Sequence, residues 1–365
     1  MPLPRIGLAV IGAGRMGRSH AQLIAAGAPE LRIVAIGDVD GRAARHLADE
    51  IGAAAFADPL AAVSAPGVDA VLVAVSSVHH REVVEAAASA GRDILCEKPL
   101  ALDLADTDAI LAAVDRAGVR LQVGFMRRHD PDHVRAHARI VAGELGRLLL
   151  FTSRQYDVDP PPPAVLDPRT GGGIMLDMGT HEFDSARFLM GSEITEVQAT
   201  GSVQLFPEVA ASDDVDTAVV NLKFASGAIG SIELSRRVAF GEDVRTEVHG
   251  TAASAFIGGL PIASGSAIGW EGGIRWDASP PSTPRFAAAY TDQARAFARS
   301  IQCDEPVSPS GADGRAAFLV AAAADRAIRG GGTVRVAELE SDRPAERLRP
   351  SPAVRRPATS GSART

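Results

Sequence analysis

The chain has 365 residues, room for two cores of ordinary domain size, and its 46% apolar and 22% charged residues exclude a chain disordered throughout. Net charge is −8, but residues 341–365 hold six Arg against Asp342 and Glu346, so residues 1–340 carry −12, an acidic body that argues against a nucleic-acid partner. No apolar run approaches the roughly 20 residues that span a bilayer. Met-Pro-Leu-Pro-Arg leads directly into a strand-like segment, without the charged start and apolar run of a signal peptide, so export is not expected. Two cysteines, Cys96 and Cys303, give no disulfide framework and fit a reducing cytoplasm. Positive charge is carried almost wholly by Arg; Lys98 and Lys223 are the only lysines, which singles out a lysine for work that a guanidinium does badly.

From residue 6 to 123 short apolar runs alternate with amphipathic stretches, the pattern of βαβ units around a buried parallel sheet. Strands are predicted at 6–11, 32–37, 68–75, 93–96 and 120–123, with helices opening near Arg15, Gly41, His80 and Asp103. After Gly124 the pattern changes. Asp130-Pro131, an acceptor cap followed by proline in the first turn, predicts a helix to about Gly143. A strand at 148–155 precedes four prolines, 160–163, expected to be extended and surface-lying. Gly171-Gly172-Gly173 precede a helical stretch from Ile174 to Leu189. Segments 196–203, 216–224, 228–237 and 244–249, with Ala225-Ser226-Gly227 as a hairpin turn, predict an antiparallel sheet. Helices near 286–301 and 312–329 and a strand at 333–336 close the folded part.

Gly12-Ala13-Gly14-Arg15-Met16-Gly17 follows the first strand and opens a helix, the context of a dinucleotide fingerprint. Gly12 permits the tight turn, Gly14 lets a pyrophosphate approach the backbone, Gly17 lets helix and strand pack, and the helix N-terminus favours the anion. Asp38 ends the second strand 21 residues after Gly17, where a carboxylate accepts ribose hydroxyls and repels a 2′-phosphate; it selects NAD over NADP. Arg42 beyond it reads as a solvated helix residue. The fold class is thus an α/β N-terminal Rossmann domain with a doubly wound parallel sheet (1–123), then an α+β C-terminal domain with a largely antiparallel open-faced sheet (124–340), serving substrate binding and oligomerisation. Residues 341–365 are expected to form a disordered basic tail.

Glu97-Lys98-Pro99 after the strand 93–96, together with Gly12–Gly17 and Asp177-Met178-Gly179-Thr180-His181, resembles the glucose–fructose oxidoreductase / inositol dehydrogenase (Gfo/Idh/MocA) family, and within it the inositol 2-dehydrogenases. The echoes run from about Ile6 to Val336 and include Ser76-Ser77, 122–128 and Ser235-Arg236-Arg237. The resemblance implies an NAD-dependent dehydrogenase acting on a polyol or sugar, with Lys98, Asp177 and His181 in the active site. Arg15, Met16, Ser76, Ser77 and Glu97 join Gly12, Gly14, Gly17 and Asp38 as cofactor contacts. Arg127 and Asp157 or Asp159 stand as hydroxyl ligands. Oxidising a secondary alcohol calls for a base titrating near neutrality, which His181 supplies; Asp177, four residues earlier on a helix, is expected to orient the imidazole and stabilise its charge. Lys98 would hydrogen-bond the reacting oxygen.

Myo-inositol oxidised to the 2-keto-inositol is the leading substrate reading. The alternatives are a dehydrogenase or reductase for another sugar or keto-inositol, and a non-catalytic NAD-binding sugar sensor. Inositol dehydrogenases tend to carry Tyr-Gly-Tyr-Asp where this chain has Phe240-Gly241-Glu242-Asp243, so phenol donors give way to a carboxylate acceptor. A homo-oligomer, dimer or tetramer, is expected through the antiparallel sheet, on which Ala218, Val220 and Leu222 alternate. His129, His133 and His137 read as a solvated or substrate-edge stripe rather than a metal site, because three ligands over two turns lie too far apart for one ion. Cys96 reads as a small hydrophobe and Lys223 as a solvated face residue.

Overall fold

The computed structural model describes residues 3–158, 162–238, 242–258, 268–269, 273–274 and 282–341. Pro160, Pro161, Asp159, Phe240 and the tail from residue 342 lie outside the described residues.

Six strands, β1 (Ile6–Ile11), β2 (Leu31–Gly37), β3 (Ala54–Phe56), β4 (Ala70–Val73), β5 (Asp93–Cys96) and β6 (Leu121–Val123), form an all-parallel sheet in the order β3-β2-β1-β4-β5-β6. The apolar runs are nearly continuous because both faces are covered. Along β1, Ile6, Leu8 and Val10 pack with Ile24 of the helix Arg15–Gly27, while Ala9 and Ile11 share the other core with Val84 and Ile110. Strand order reverses between β1 and β4, the crevice where such sheets bind ligands. β3 and the short helix Pro59–Val63 escape the periodicity: Ala54 and Ala55 are exposed edge residues, and the helix is only five residues long. Its signal is Asp58-Pro59, whose carboxylate accepts from Leu60 N at 2.9 Å.

The second sheet contains β7 (Leu148–Tyr156), β8 (Ile194–Ser202), β9 (Thr217–Phe224), β10 (Ile229–Ser235), β11 (Asp243–Gly250), β12 (Ser254–Ile257) and the strand Thr333–Arg335. Their order is β12-β11-β7-β10-β9-β8 and then Thr333–Arg335, antiparallel except that β7 and β10 pair parallel. One face packs on the helices Thr180–Met190 and Gly311–Gly330. Ala218, Val220 and Leu222 belong to this covered face, so their alternation marks the chain's own core and not the open side. The open side carries Thr217, Val219, Asn221 and Lys223 on β9, with Lys223 paired to Glu196 at 3.1 Å and Val219, Ile229 and Phe256 exposed. Pro163 does not extend the proline run but opens a short helix, Pro163–Leu166, where its missing N–H costs nothing.

The two sheets are not independent. The helix Ser282–Cys303 crosses back to the first, where Ala294, Phe297 and Ala298 complete the core under Ile6, Leu31 and Ile36. Among the described residues no helix is long and apolar enough to cross a membrane. Phe297 is fully buried at this joint, so Phe297→Ala is expected to lower stability by about 3–5 kcal/mol, read from the denaturant midpoint.

Candidate active site

The glycine turn after β1 is shaped by what cannot fit there. Gly12 has φ +103°, and a Cβ on it would stand 2.5 Å from the Ala74 carbonyl oxygen; at Gly17 a Cβ would meet Gly12 O at 1.8 Å. On Gly14 a Cβ meets nothing within 4 Å, so the cradle opens outward there. Gly14 caps the helix Arg15–Gly27 without a side-chain acceptor, leaving the first-turn N–H groups and the positive end of the helix for an anion. Arg15 is exposed and Met16 half-buried beside it. Asp38 is pinned next to the turn, its carboxylate accepting from Ala13 N at 2.6 Å and Asp40 N at 2.8 Å. Ser76 and Ser77 lie in the short turn after β4, across the crevice from β1. This cradle fits a dinucleotide: open backbone for phosphates, and a carboxylate at the end of β2 for ribose hydroxyls. Arg42 is exposed on its helix.

β5 delivers Glu97 and Lys98 to the carboxyl edge of the same sheet. Cys96 is fully buried at the strand end, and burial pushes its thiol well up, as expected of a small hydrophobe. Glu97, expected among the cofactor contacts, is buried with both oxygens engaged: Oε1 lies 2.6 Å from His20 Nε2, and Oε2 accepts from Lys98 N at 3.1 Å. Burial opposes its ionisation, but His20 and Lys98 outweigh that and hold the carboxyl below the usual range. Lys98 Nζ donates to Asp177 O at 2.6 Å and to Asp177 Oδ1 at 3.2 Å. The other Asp177 oxygen accepts from Arg236 Nη1 at 3.0 Å; Arg236, fully buried, also reaches Asp214 at 3.4 Å, and Asp214 accepts from Ile174 N. Burial alone would raise Asp177, yet the Lys98 and Arg236 charges hold it low.

The structure departs here from the four-residue spacing. Asp177 lies in a π-helical turn, Met175–Gly179, ahead of the helix Thr180–Met190 that carries His181. In a π turn residue i+4 no longer stands over residue i, and both Asp177 oxygens are taken by cations. The carboxylate therefore orients Lys98, not His181. His181 is 7% exposed, edge-on to Phe125 at 6.3 Å, and its buried Nδ1 has no protein partner among the described residues. Burial first, then Lys98 and Arg127, push the imidazole well below its ordinary value.

Arg127 is 2% exposed and is committed to Glu182 and, at 2.9 Å, to Gln155 Oε1; it braces the wall of the site instead of presenting a free guanidinium to a hydroxyl. Asp157 faces inward and is pushed up to about 6 by burial and by Asp177. No role was assigned to His20, Arg236, Asp214 or Glu182 from the sequence; for Arg236 the available signal was the Ser235-Arg236-Arg237 stretch that ends a strand-like segment. The three histidines do not form a stripe, because the helix begins only at Pro131. His129, in the preceding turn, bonds Ser308 O at 3.1 Å; His133 is buried against Asp130 at 2.8 Å; His137 stacks on Phe188 at 4.0 Å.

Two family models match the chain: the NAD-binding Rossmann fold of the oxidoreductase family over residues 6–125, and the GFO/IDH/MocA C-terminal domain over residues 133–256. The myo-inositol 2-dehydrogenase of Thermotoga maritima is 37% identical, covering 92% of this chain and 99% of that protein. The scyllo-inositol 2-dehydrogenase (NAD(+)) of Bacillus subtilis is 35% identical over 88% and 94%. Among solved structures, the scyllo-inositol dehydrogenase of Lactobacillus casei with bound NAD(H) and scyllo-inositol superposes with a TM-score of 0.83 at 27% identity, over 91% of this chain and 99% of that one. With a glycine cradle on one sheet, a Glu-Lys-Pro loop at its edge and a second, largely antiparallel sheet closing the site, the chain belongs to the Gfo/Idh/MocA family of NAD-dependent oxidoreductases.

Proposed function

We propose that the protein oxidises a secondary hydroxyl of a cyclic polyol with NAD, myo-inositol to the 2-keto-inositol being the reaction its relatives' names support best. The observation that carries the reading is Lys98, whose ammonium is aimed by Asp177 and whose backbone N–H is held by Glu97, itself bonded to His20 of the cofactor helix. NAD, when bound, supplies the acceptor for the hydride leaving the carbinol carbon. The protein handles the hydroxyl proton. Two of the three Lys98 N–H donors are spent on Asp177, which leaves one for the reacting oxygen, lowering that oxygen's affinity for its proton. His181, kept neutral at pH 7 by burial and two cations, accepts the proton; the same penalty on the imidazolium favours passing it on to solvent. A sensor that only binds NAD has no use for a lysine aimed this closely. We place the enzyme in the cytoplasm, consistent with its two free thiols. We also propose assembly into a dimer or tetramer through the open face of the second sheet, whose charges are largely paired within the chain, as in Lys223–Glu196 and Arg245–Asp243 at 2.7 Å, so that copies do not repel.

Lys98→Arg keeps the charge but replaces a compact donor by a wide fork; kcat is expected to fall about 10²–10³-fold while NADH affinity, titrated by fluorescence, changes less than about twofold. Near wild-type turnover of Lys98→Arg would reduce Lys98 to a charge near the cofactor. Because the His181 imidazole is depressed and must be neutral to act as base, kcat/KM for oxidation should hold on acidification and fall only well below pH 6.5; an acid limb at or above 6.5 contradicts the assignment. Light scattering at micromolar concentration should give a multiple of the chain mass, and a monomer would refute the interface.

A further inference from the structure

Given the polyol reading above, ring recognition falls to groups that the protein itself leaves free to bond. Most carboxylates around the site already have a side-chain partner: Glu97 has His20, Asp177 has Lys98 and Arg236, Glu182 has Arg127, Asp214 has Arg236, and Asp130 has His133 and Arg285. Asp157 and Glu242 have no ion-pair partner among the described residues. Asp157 accepts one long bond, from Gln155 Nε2 at 3.4 Å. β7 and β11 pair antiparallel up to Tyr156 and Asp243, so the next residue on each strand, Asp157 and Glu242, oppose one another across the strand ends. By the two-residue period both lie on the side that carries Ser153 and Thr246, which bond each other at 3.0 Å and face Glu182. On the same side Val244 packs with Met126, Phe286 and Tyr290, and Tyr290 sits edge-on to His20 of the cofactor helix at 5.1 Å. His181 also keeps a buried Nδ1 without a protein partner among the described residues.

We propose that Glu242 is a specificity-determining residue, forming with Asp157 a two-carboxyl grip on neighbouring hydroxyls of the substrate ring. Two carboxyls opposed in a half-buried setting do not both ionise freely. Burial and Asp157 push Glu242 up to about 7, as burial and Asp177 push Asp157 up to about 6. The cations facing the pair are Arg127 and Arg285 toward Glu242, and Lys98 and Arg236 toward Asp157. All four are engaged with carboxylates of their own, and the nearby Tyr290 hydroxyl is held neutral by burial. Near neutrality the pair holds one proton, so Glu242 donates to one ring hydroxyl while Asp157 accepts from the next. The carboxylic acid thereby does what a phenol would do in its place, until rising pH removes the proton and leaves two acceptors.

The test measures binding of myo-inositol, scyllo-inositol and glucose to the enzyme–NADH complex by NADH fluorescence as a function of pH, and NAD turnover of the same compounds, for wild type, Glu242→Gln and Glu242→Ala. For wild type the dissociation constant of the inositol that is turned over should rise about tenfold between about pH 6 and pH 8, as one proton titrating near 7 is lost. Glu242→Gln keeps a donor and an acceptor but cannot ionise; it should flatten that rise and change the kcat/KM ratio between the two inositols by about tenfold, with NADH affinity intact. If both variants keep the wild-type pH dependence and isomer ratio, Glu242 is no substrate ligand. A wild type that turns over glucose and neither inositol overturns the inositol reading instead, and the same comparison of variants on glucose then decides the role of Glu242.

Discussion

A buried charge needs a partner, and at this site each partner comes from a different part of the chain. Lys98 leaves β5 and meets Asp177 in the π turn; Asp177 is shared with Arg236 from the end of β10; Arg236 reaches Asp214, which in turn holds the backbone at Ile174. On the other side Glu97 takes His20 from the helix behind the glycine turn. Removing one member leaves its neighbour buried and uncompensated, which is far more costly than any one bond is favourable. Charge neutrality thus sets where Lys98 stands relative to the cofactor cradle and to His181, and joins the two sheets where the chemistry takes place.

What was legible in the sequence is what a short window determines. β1 begins and ends where its apolar run does, because a strand buried on both faces has no polar residue to blur its limits. The helices after β1, β2 and β5 start at their caps: Asp40 accepts from Arg42 N and Ala43 N, and Asp103 from Asp106 N. The glycine turn is likewise local, since its constraints run between Gly12, Gly17 and the neighbouring Ala74. Lys98 stood out for a compositional reason: in a chain that uses Arg almost everywhere, a lysine directly after the edge of a parallel sheet is conspicuous.

What was not legible depends on long-range pairing. Helical spacing put Asp177 under His181, but the turn between them is widened and two cations from distant strands take the carboxylate. The family resemblance offers Arg127 as a hydroxyl ligand; Glu182, 55 residues away, claims it first. The alternation on β9 gave the right strand and the wrong face, since period 2 says that one side is buried without saying by what. β7 lies between β10 and β11, a placement that no neighbouring residues encode.

The paired charges and the unpaired ones divide the work of the site. Lys98 and Asp177 belong to the neutralised frame, and altering either disturbs several segments at once. Asp157 and Glu242 sit outside it, at the ends of two strands whose neighbour Asp243 is separately satisfied by Arg245. Substitution at position 242 changes which ring hydroxyls find a donor or an acceptor without breaking an ion pair. Chemistry and ring recognition are therefore mechanically separable in this fold, and family membership constrains the first more tightly than the second.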